Sequence, residues 1–453
     1  MHKSCVTVLL TVAWFLTLDS TAQEHSLKDD TASPARDPIR EAHEANAPTP
    51  AFRFPPIAGL SVVDRVDPLV CLDGTPVKTR EDWEKKRRPE IVNLAQHYIY
   101  GSCPPERLLA GTPPPYVVEE DKDSLAEQGA VRKWIAVPLA PNDTDAVLHF
   151  ELIVPVGGKT PYPTFAGIGR DPLRKGQKLS DMDHACVRRG YAVAGVGLRS
   201  GSGASYKYYF PEHSGPWVQG EPYTAGDKRP LHGWGAMAAW GWRARRMIDA
   251  LRTLPEVDPD RIVVTGGSRT GMSAVLSAAI DKRIAMVWCG EGIHEWRPLD
   301  ASKYGVTITG KPHQMDWWAP MLRGFQKQNR LGALPVGAYC VLATVAPRPA
   351  LVTTTEFFGT CICPSQDSYN AVEHVLPVYR FLGADVAMPA NVERAGVGLH
   401  GRGPLRLFLS TMTGGKDGHG AAPNSDQINA ILAFIDEYLK PNAGTQGNRE
   451  EEP

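Results

Sequence analysis

The stretch that decides the fold is VVTGGSRTG, residues 263–271, followed by MSAVLSAA, residues 272–279. The β-branched start predicts a strand, and the alanine-rich continuation predicts a helix. Glycines flank Ser268 between them, because a strand that turns sharply into a helix while presenting a hydroxyl leaves no room for a Cβ on either side. This order of strand, serine and helix predicts a nucleophile elbow.

The glycine after Ser268 comes one position later than in the usual elbow consensus, G-x-S-x-G. The chain reads G-x-S-R-x-G, with Thr270 at the usual glycine position and Gly271 beyond it. A simpler interpretation is that Ser268 only caps the helix, as serines often do. Because strand, turn and helix occur in the required order, we expect Ser268 to be the nucleophile of a serine hydrolase.

Strand-like and helix-like segments alternate around this turn. Such alternation implies a mainly parallel central sheet covered on both faces, the three-layer α/β/α sandwich of the α/β-hydrolase fold. The predicted strands cover residues 131–139, 147–156, 163–168, 191–196, 262–265, 284–289, 350–355 and 405–411. The predicted helices cover residues 179–189, 234–254, 368–382 and 426–439, in addition to the helix after Ser268.

Two further residues are expected beside Ser268, because parallel strands deliver the loops that follow them to one edge of the sheet. Glu291 follows the predicted strand 284–289, and His419 lies in the glycine-rich loop 414–420 before the last helix. The chain order serine, acid, histidine is that of the α/β-hydrolase fold. His419 would accept the proton of Ser268, and Glu291 would hold the imidazole in one tautomer.

Other residues are alternatives for these two supporting roles. Glu356 follows the predicted strand 350–355, and Asp367 lies a little further along the chain. This is the other loop from which the fold commonly supplies its acid. Glu295, in the same loop as Glu291, is a third alternative for the acid. The alternatives for the imidazole are His294, His374 and His400.

Both ends of the chain have the composition of processed or unstructured segments. Residues 1–22 combine a basic start, a short apolar run and a small-residue end, the pattern of a secretory signal peptide. Residues 23–56 and 441–453 lack hydrophobic periodicity and predict a disordered leader and a disordered tail. One catalytic domain with an N-terminal extension is therefore expected over residues 57–440, in a secreted or periplasmic protein.

Charge and cysteine content narrow the expected partners. The 49 basic and 50 acidic residues give a formal net charge of −1, which favours neither nucleic acid nor an anionic membrane. The 8 cysteines include Cys5 in the signal segment, so an odd number remains, and their pairing cannot be read from the sequence. Cys361 and Cys363 have no second Cys/His pair at zinc-site spacing.

We expect a monomer that needs no metal or cofactor.

Several motifs resemble those of the glucuronoyl esterases, the carbohydrate esterase family 15 enzymes that cleave esters between lignin alcohols and 4-O-methylglucuronate on xylan. GGSRTGM, residues 266–272, is similar to the family signature G-C-S-R-x-G-K. The resemblance spans residues 67–439 and implies an α/β-hydrolase fold with esterase activity. Its other segments are DPLVCLDG at 67–74, WEKKRRPEI at 83–91, YG at 100–101, GAMAAWGW at 235–242, VDPDR at 257–261 and APRP at 346–349.

The resemblance implies further site residues. Arg269 is expected to help form the oxyanion hole, because a guanidinium beside the backbone amides of the elbow would meet the negative charge that develops on the carbonyl oxygen. Glu291 matches one of the two positions from which the family takes its acid. Trp317 and Trp318 fall where the family places aromatic residues near its cleft, and one of them is expected to pack on a sugar ring.

Two departures from the family concern the substrate. Met272 stands where the family has a lysine that resembles a sugar-hydroxyl ligand, and a thioether cannot donate the hydrogen bonds of an ammonium. The residues GAYC at 337–340 replace a charged D-Q-H-E-like segment of bacterial relatives. We predict a secreted serine esterase of glucuronate esters on plant polysaccharide. An acetyl xylan esterase and a non-catalytic carbohydrate-binding protein are the alternatives.

Overall fold

The structure is a computed structural model of the chain. It describes residues 54–103, 111–139, 141, 147–174, 176–198, 235–290, 293, 295–297, 317–355, 365–390, 396–410 and 423–440. The predicted signal peptide, the leader up to residue 53 and the tail from residue 441 lie outside the described residues. All described residues belong to the unit Pro38–Pro453.

Ten strands within the described residues form one mixed sheet, in the order β1-β2-β3-β5-β4-β6-β7-β8-β10-β9. The six strands from β5 to β10 in this order run parallel, whereas β1 to β3 and β9 join them antiparallel at the two sides. The strands are β1 Tyr116–Asp121, β2 Ala130–Pro138, β3 Val147–Pro155, β4 Tyr162–Ile168, β5 Ala192–Val196, β6 Val257–Gly267, β7 Met286–Gly290, β8 Ala350–Thr355, β9 Gly398–His400 and β10 Leu405–Ser410.

Helices cover both faces of this sheet. The helices are α1 at residues 80–100, α2 Asp181–Arg188, α3 Ala236–Leu251, α4 Arg269–Ile280, α5 Leu322–Lys327, α6 Ala338–Ala343, α7 Ser365–Phe381 and α8 Ser425–Leu439. Successive residues of a strand point to opposite faces, so Val264 of β6 packs in one apolar cluster with α3 and α4, while Val263 packs in the other with α2 and α8. None of the described helices is long and apolar enough to cross a lipid bilayer.

The predicted α/β-hydrolase fold is confirmed, with its mainly parallel sheet between two helical layers. The strand before Ser268 is longer than the sequence predicts, because β6 extends from Val257 to Gly267. Its extra residues are held by partner strands: Val257 pairs with Tyr162 of β4, and the two glycines before Ser268 pair with the end of β7. Pairing across the sheet thus extends this strand beyond its β-branched run.

Candidate active site

Ser268 lies in the turn between β6 and α4, in a backbone conformation that residues with a side chain rarely adopt. Its φ is 53° and its ψ is −121°. Such a conformation costs about 1–3 kcal/mol and persists only where the surrounding structure holds it. The amide of Ser268 donates to the carbonyl of Gly290 (2.9 Å), and its own carbonyl accepts from the amide of Met272 (3.0 Å), the first bond of α4. The turn therefore has the strained strand-to-helix geometry of a nucleophile elbow.

Two glycines of the motif are required by close backbone contacts. A Cβ at Gly266 would lie 2.5 Å from the backbone of Thr270, and a Cβ at Gly271 would lie 2.8 Å from the carbonyl oxygen of Gly290. Gly271 thus sits where α4 passes the end of β7. This contact explains why residue 271 is a glycine.

Thr270, at the usual glycine position, points its side chain back toward the turn. Its hydroxyl accepts from the amide of Gly267 (2.9 Å) and donates to the carbonyl of Gly267 (2.8 Å). A Cβ at Gly169, the first residue after β4, would come within 3.1 Å of the Thr270 methyl carbon. The sequence alone predicts no role for Thr270. Its position two residues after the serine is the feature that could have indicated one.

The carboxyl ends of the parallel strands meet at the edge of the sheet where Ser268 lies. Gly267 and Gly290, the last residues of β6 and β7, are paired in register, and the last residues of β8 and β10 are paired likewise. Glu291, Glu356 and His419 follow β7, β8 and β10 in sequence and lie outside the described residues. His294 lies outside them as well.

Of the alternative acids, Asp367 and Glu295 are described. Asp367 is 4 % exposed in the first turn of α7, and the neighbouring Ser368 hydroxyl accepts from the amide of Ile293 (3.2 Å). This bond joins the start of α7 to the loop after β7. Glu295 is equally buried and accepts from three backbone amides, at 2.9 Å from Trp296, 3.0 Å from Arg297 and 2.9 Å from Ala338. Its carboxylate therefore joins the segment 295–297 to the start of α6.

Arg269 begins α4 and stacks on Trp317. The guanidinium carbon lies 4.5 Å from the centroid of the indole ring. A cation at a helix N-terminus is disfavoured by the helix dipole, and this cation–π contact offsets part of that cost. The backbone around Trp317 is also held in place. The amide of Ala319 donates to the carbonyl of Ile99 (2.7 Å). The Trp317 carbonyl packs so closely on Gly235 that a Cβ at that glycine would lie 2.2 Å from the carbonyl oxygen.

Two residues expected near the substrate, Met272 and Trp318, are buried. Met272 is 2 % exposed and belongs to the apolar core, and Trp318 is 5 % exposed between the rings of Tyr100 (5.7 Å) and Trp296 (5.8 Å). Trp317 is only partly buried. The residues that replace the family's charged segment are also buried, and the Tyr339 hydroxyl donates to the carbonyl of Val66 (2.8 Å). Of the two tryptophans predicted near the cleft, Trp317 is thus the one whose exposed surface a ligand could contact.

Two alternative histidines are described, and each is engaged away from the serine turn. His374 on α7 packs edge-on against Tyr339, with ring centroids 5.0 Å apart, and burial lowers the pKa of its imidazole. His400 on the antiparallel edge strand β9 shares a hydrogen bond of 2.8 Å between its Nε2 and the carbonyl of Gly396. His374 lies within a helix and His400 within a strand, so neither is in a loop directly after a parallel strand.

Sequence comparison connects the chain to known esterases. A family model described as "Glucuronyl esterase, fungi" matches residues 228–383. The chain is 23 % identical to carbohydrate esterase MZ0003 of an unknown prokaryotic organism, over 84 % of this chain and 88 % of that one. It is 26 % identical to 4-O-methyl-glucuronoyl methylesterase 1 of Phanerochaete chrysosporium, over 72 % of this chain and 64 % of the relative.

Solved structures show the same fold. A CE15 glucuronoyl esterase from Teredinibacter turnerae T7901 has a TM-score of 0.64 at 21 % identity, over 88 % of this chain and 98 % of that one. A glucuronoyl esterase from Solibacter usitatus has a TM-score of 0.62 at 19 % identity, over 85 % of this chain and 100 % of that one. The motifs, the fold and these relatives together support a divergent glucuronoyl esterase, similar over most of its length to carboxylic ester hydrolases.

Proposed function

We propose that the chain is a serine esterase that hydrolyses esters of glucuronic acid on plant polysaccharide. The Ser268 oxygen attacks the ester carbonyl carbon while His419 takes its proton, and the alcohol leaves with that proton as the acyl-enzyme forms. Water, deprotonated by His419, then attacks the acyl carbon and releases the acid, and the proton returns to Ser268. The class of substrate is taken from the fungal relatives, which are 4-O-methyl-glucuronoyl methylesterases.

The backbone of Ser268 is the observation that carries this proposal. A positive φ at a residue with a side chain is costly, and such strain is concentrated at functional sites. Gly266 and Gly271 permit the turn, because a Cβ at either position would lie less than 3 Å from backbone atoms. The local sequence therefore allows the strained conformation of Ser268. A serine that only capped the helix would need neither the strain nor the glycines.

Arg269 is proposed to donate to the oxyanion together with backbone amides of the turn. It directly follows Ser268 at the start of α4, where the free amides of a helix N-terminus already favour negative charge. The stack on Trp317 limits the conformations of the guanidinium before substrate arrives. Donors that need no rearrangement contribute most to stabilising the charge of a transition state.

Glu291 is proposed as the acid that orients His419. It is the residue after Gly290, whose carbonyl accepts the Ser268 amide at 2.9 Å. Asp367 is the alternative with structural support, because α7 begins beside the loop after β7. Glu356, after β8, is the remaining alternative. For the imidazole, β10 ends beside β8 within the parallel part of the sheet, and His419 follows it in sequence.

The termini complete the proposal. Residues 1–22 are proposed to direct secretion and to be removed, and residues 23–53 and 441–453 to act as unstructured extensions of a monomeric catalytic domain. The predicted leader ends earlier than residue 56, because Phe54 stacks on His97 with ring centroids 3.8 Å apart and belongs to the folded part. A secreted or periplasmic location suits a polysaccharide substrate. The proposed chemistry assigns no step to a metal or cofactor.

Matched esters test the substrate. We expect kcat/KM for benzyl glucuronate to exceed kcat/KM for an acetyl ester of a xylo-oligosaccharide by at least about tenfold, which corresponds to one or two hydrogen bonds to the carboxyl-bearing sugar. The measurement is initial-rate hydrolysis of each ester by the same preparation, with Ser268→Ala as the background. A preference for the acetyl ester would instead support an acetyl xylan esterase, and hydrolysis of neither by folded protein would support a carbohydrate-binding protein.

A further inference from the structure

Thr270 bonds to both backbone polar groups of Gly267, the residue that precedes the strained serine. Its hydroxyl accepts from the Gly267 amide at 2.9 Å and donates to the Gly267 carbonyl at 2.8 Å. One side chain thereby satisfies a donor and an acceptor of the residue before Ser268. The bonds run back over Ser268, from the second residue of α4 to the last residue of β6.

This connection matters because the strand side of the turn consists of two glycines. Gly266 and Gly267 have no side chain that could pack and fix their dihedral angles, and glycine has the largest backbone freedom of any residue. The strain at Ser268 can be relieved by rotating the peptide between Gly267 and Ser268. A hydroxyl bonded to both polar groups of Gly267 opposes that rotation.

The rest of the Thr270 side chain is held as well. A β-branched side chain in a helix has few χ1 conformations, which limits where its hydroxyl and methyl point. Thr270 is 9 % exposed, and its methyl carbon lies against Gly169 at the end of β4, where an added Cβ would approach it to 3.1 Å. The methyl contact and the hydroxyl bonds therefore select the same orientation.

We propose that Thr270 is a positioning residue, whose hydroxyl holds the Gly267 peptide so that Ser268 presents its oxygen for attack. The inference rests on the proposed role of Ser268 as nucleophile and adds a residue that touches neither substrate nor the reacting atoms. It also accounts for a threonine where the usual elbow consensus has glycine: the side chain supplies hydrogen bonds that glycine could not.

Thr270→Val and Thr270→Ser separate the hydroxyl from the methyl group. We expect Thr270→Val to lower kcat on benzyl glucuronate about tenfold, the loss of roughly one net hydrogen bond, with KM unchanged. The rate constant for labelling of Ser268 by a fluorophosphonate should fall by the same factor. Thr270→Ser keeps the hydroxyl and should retain kcat and the labelling rate constant within about threefold of wild type.

Ser277→Ala is the matched control for stability. The Ser277 hydroxyl lies two turns further along α4 and donates to the carbonyls of Ser273 (2.7 Å) and Gly241 (3.1 Å). Its removal should lower the melting temperature as much as Thr270→Val does while leaving kcat and labelling unchanged. If Thr270→Val does not fold, Thr270→Ala compared with Thr270→Ser gives the same contrast.

The outcomes distinguish this inference from the proposed function. If the wild-type protein is labelled at Ser268 and Thr270→Val is labelled at the same rate and keeps its kcat, the role of Thr270 is overturned. The assignment of Ser268 as nucleophile is then unaffected. Equal losses in Thr270→Ser, which keeps the hydroxyl, and in Thr270→Val, which lacks it, also overturn the role of Thr270, because the effect would then not depend on the hydroxyl. Folded wild type without any label overturns the nucleophile, and the role of Thr270 with it.

Discussion

Ser268→Ala is expected to lower kcat on benzyl glucuronate by about 10⁴-fold or more, the effect seen when a triad serine is removed. The loss follows because the alanine methyl cannot form the acyl-enzyme. KM should change by less than about threefold, since substrate binding does not require the hydroxyl. The fold should survive, because the hydrogen bonds that residue 268 makes to other described residues come from its backbone. The measurement is steady-state kinetics, with thermal unfolding to verify the fold.

Ser273→Ala is a suitable comparison for this variant. The Ser273 hydroxyl is fully buried on the same helix and donates to the carbonyl of Arg269 (3.0 Å). It should lower the melting temperature while keeping kcat within severalfold of wild type. Retention of more than about one hundredth of wild-type kcat by Ser268→Ala would contradict the nucleophile assignment, because triad serines leave far less activity behind.

His419→Gln is expected to have an effect of similar size, about 10⁴-fold or more on kcat, because the serine loses the base that accepts its proton and the leaving alcohol loses its acid. The remaining activity should increase with pH as hydroxide replaces the missing base. The measurement is kcat/KM between about pH 6 and pH 10 for the variant and wild type.

His374→Gln and His400→Gln are the controls for the histidine assignment. His374 packs against Tyr339, and His400 shares a hydrogen bond with the carbonyl of Gly396, so their loss should affect stability more than turnover. Both variants should keep kcat within severalfold of wild type. If either control loses activity by about 10³-fold or more while His419→Gln does not, another imidazole serves Ser268.

The sequence is sufficient to predict the parallel strands and the elbow, because both have strong local signals. The β-branched runs of β6 and β8 and the glycines around Ser268 predict structure from neighbouring residues alone. Of the antiparallel strands, β2 and β3 are predicted from the sequence, whereas β1 and β9 are not. β1 is exposed along nearly its whole length and β9 has only three residues, so neither shows the alternation of a half-buried strand.

The features of the site that the sequence does not reveal depend on contacts between distant segments. Residue 271 is a glycine because it passes the carbonyl of Gly290, and Glu295 holds the amide of Ala338. Neither contact leaves a local pattern. The family motif places Met272 at a ligand position and one of Trp317 and Trp318 against the sugar, yet tertiary packing leaves Met272 and Trp318 little surface. The stack of Arg269 on Trp317 likewise joins segments far apart in the chain.

Covalent trapping would identify the nucleophile of the protein directly. Folded wild-type protein would be treated with a fluorophosphonate, digested and mapped by mass spectrometry, with Ser268→Ala treated in parallel. We expect one adduct per chain, on the peptide that contains Ser268, and no adduct in the variant. An adduct on a different residue, or folded wild-type protein that stays unlabelled while hydrolysing ester, would contradict this expectation.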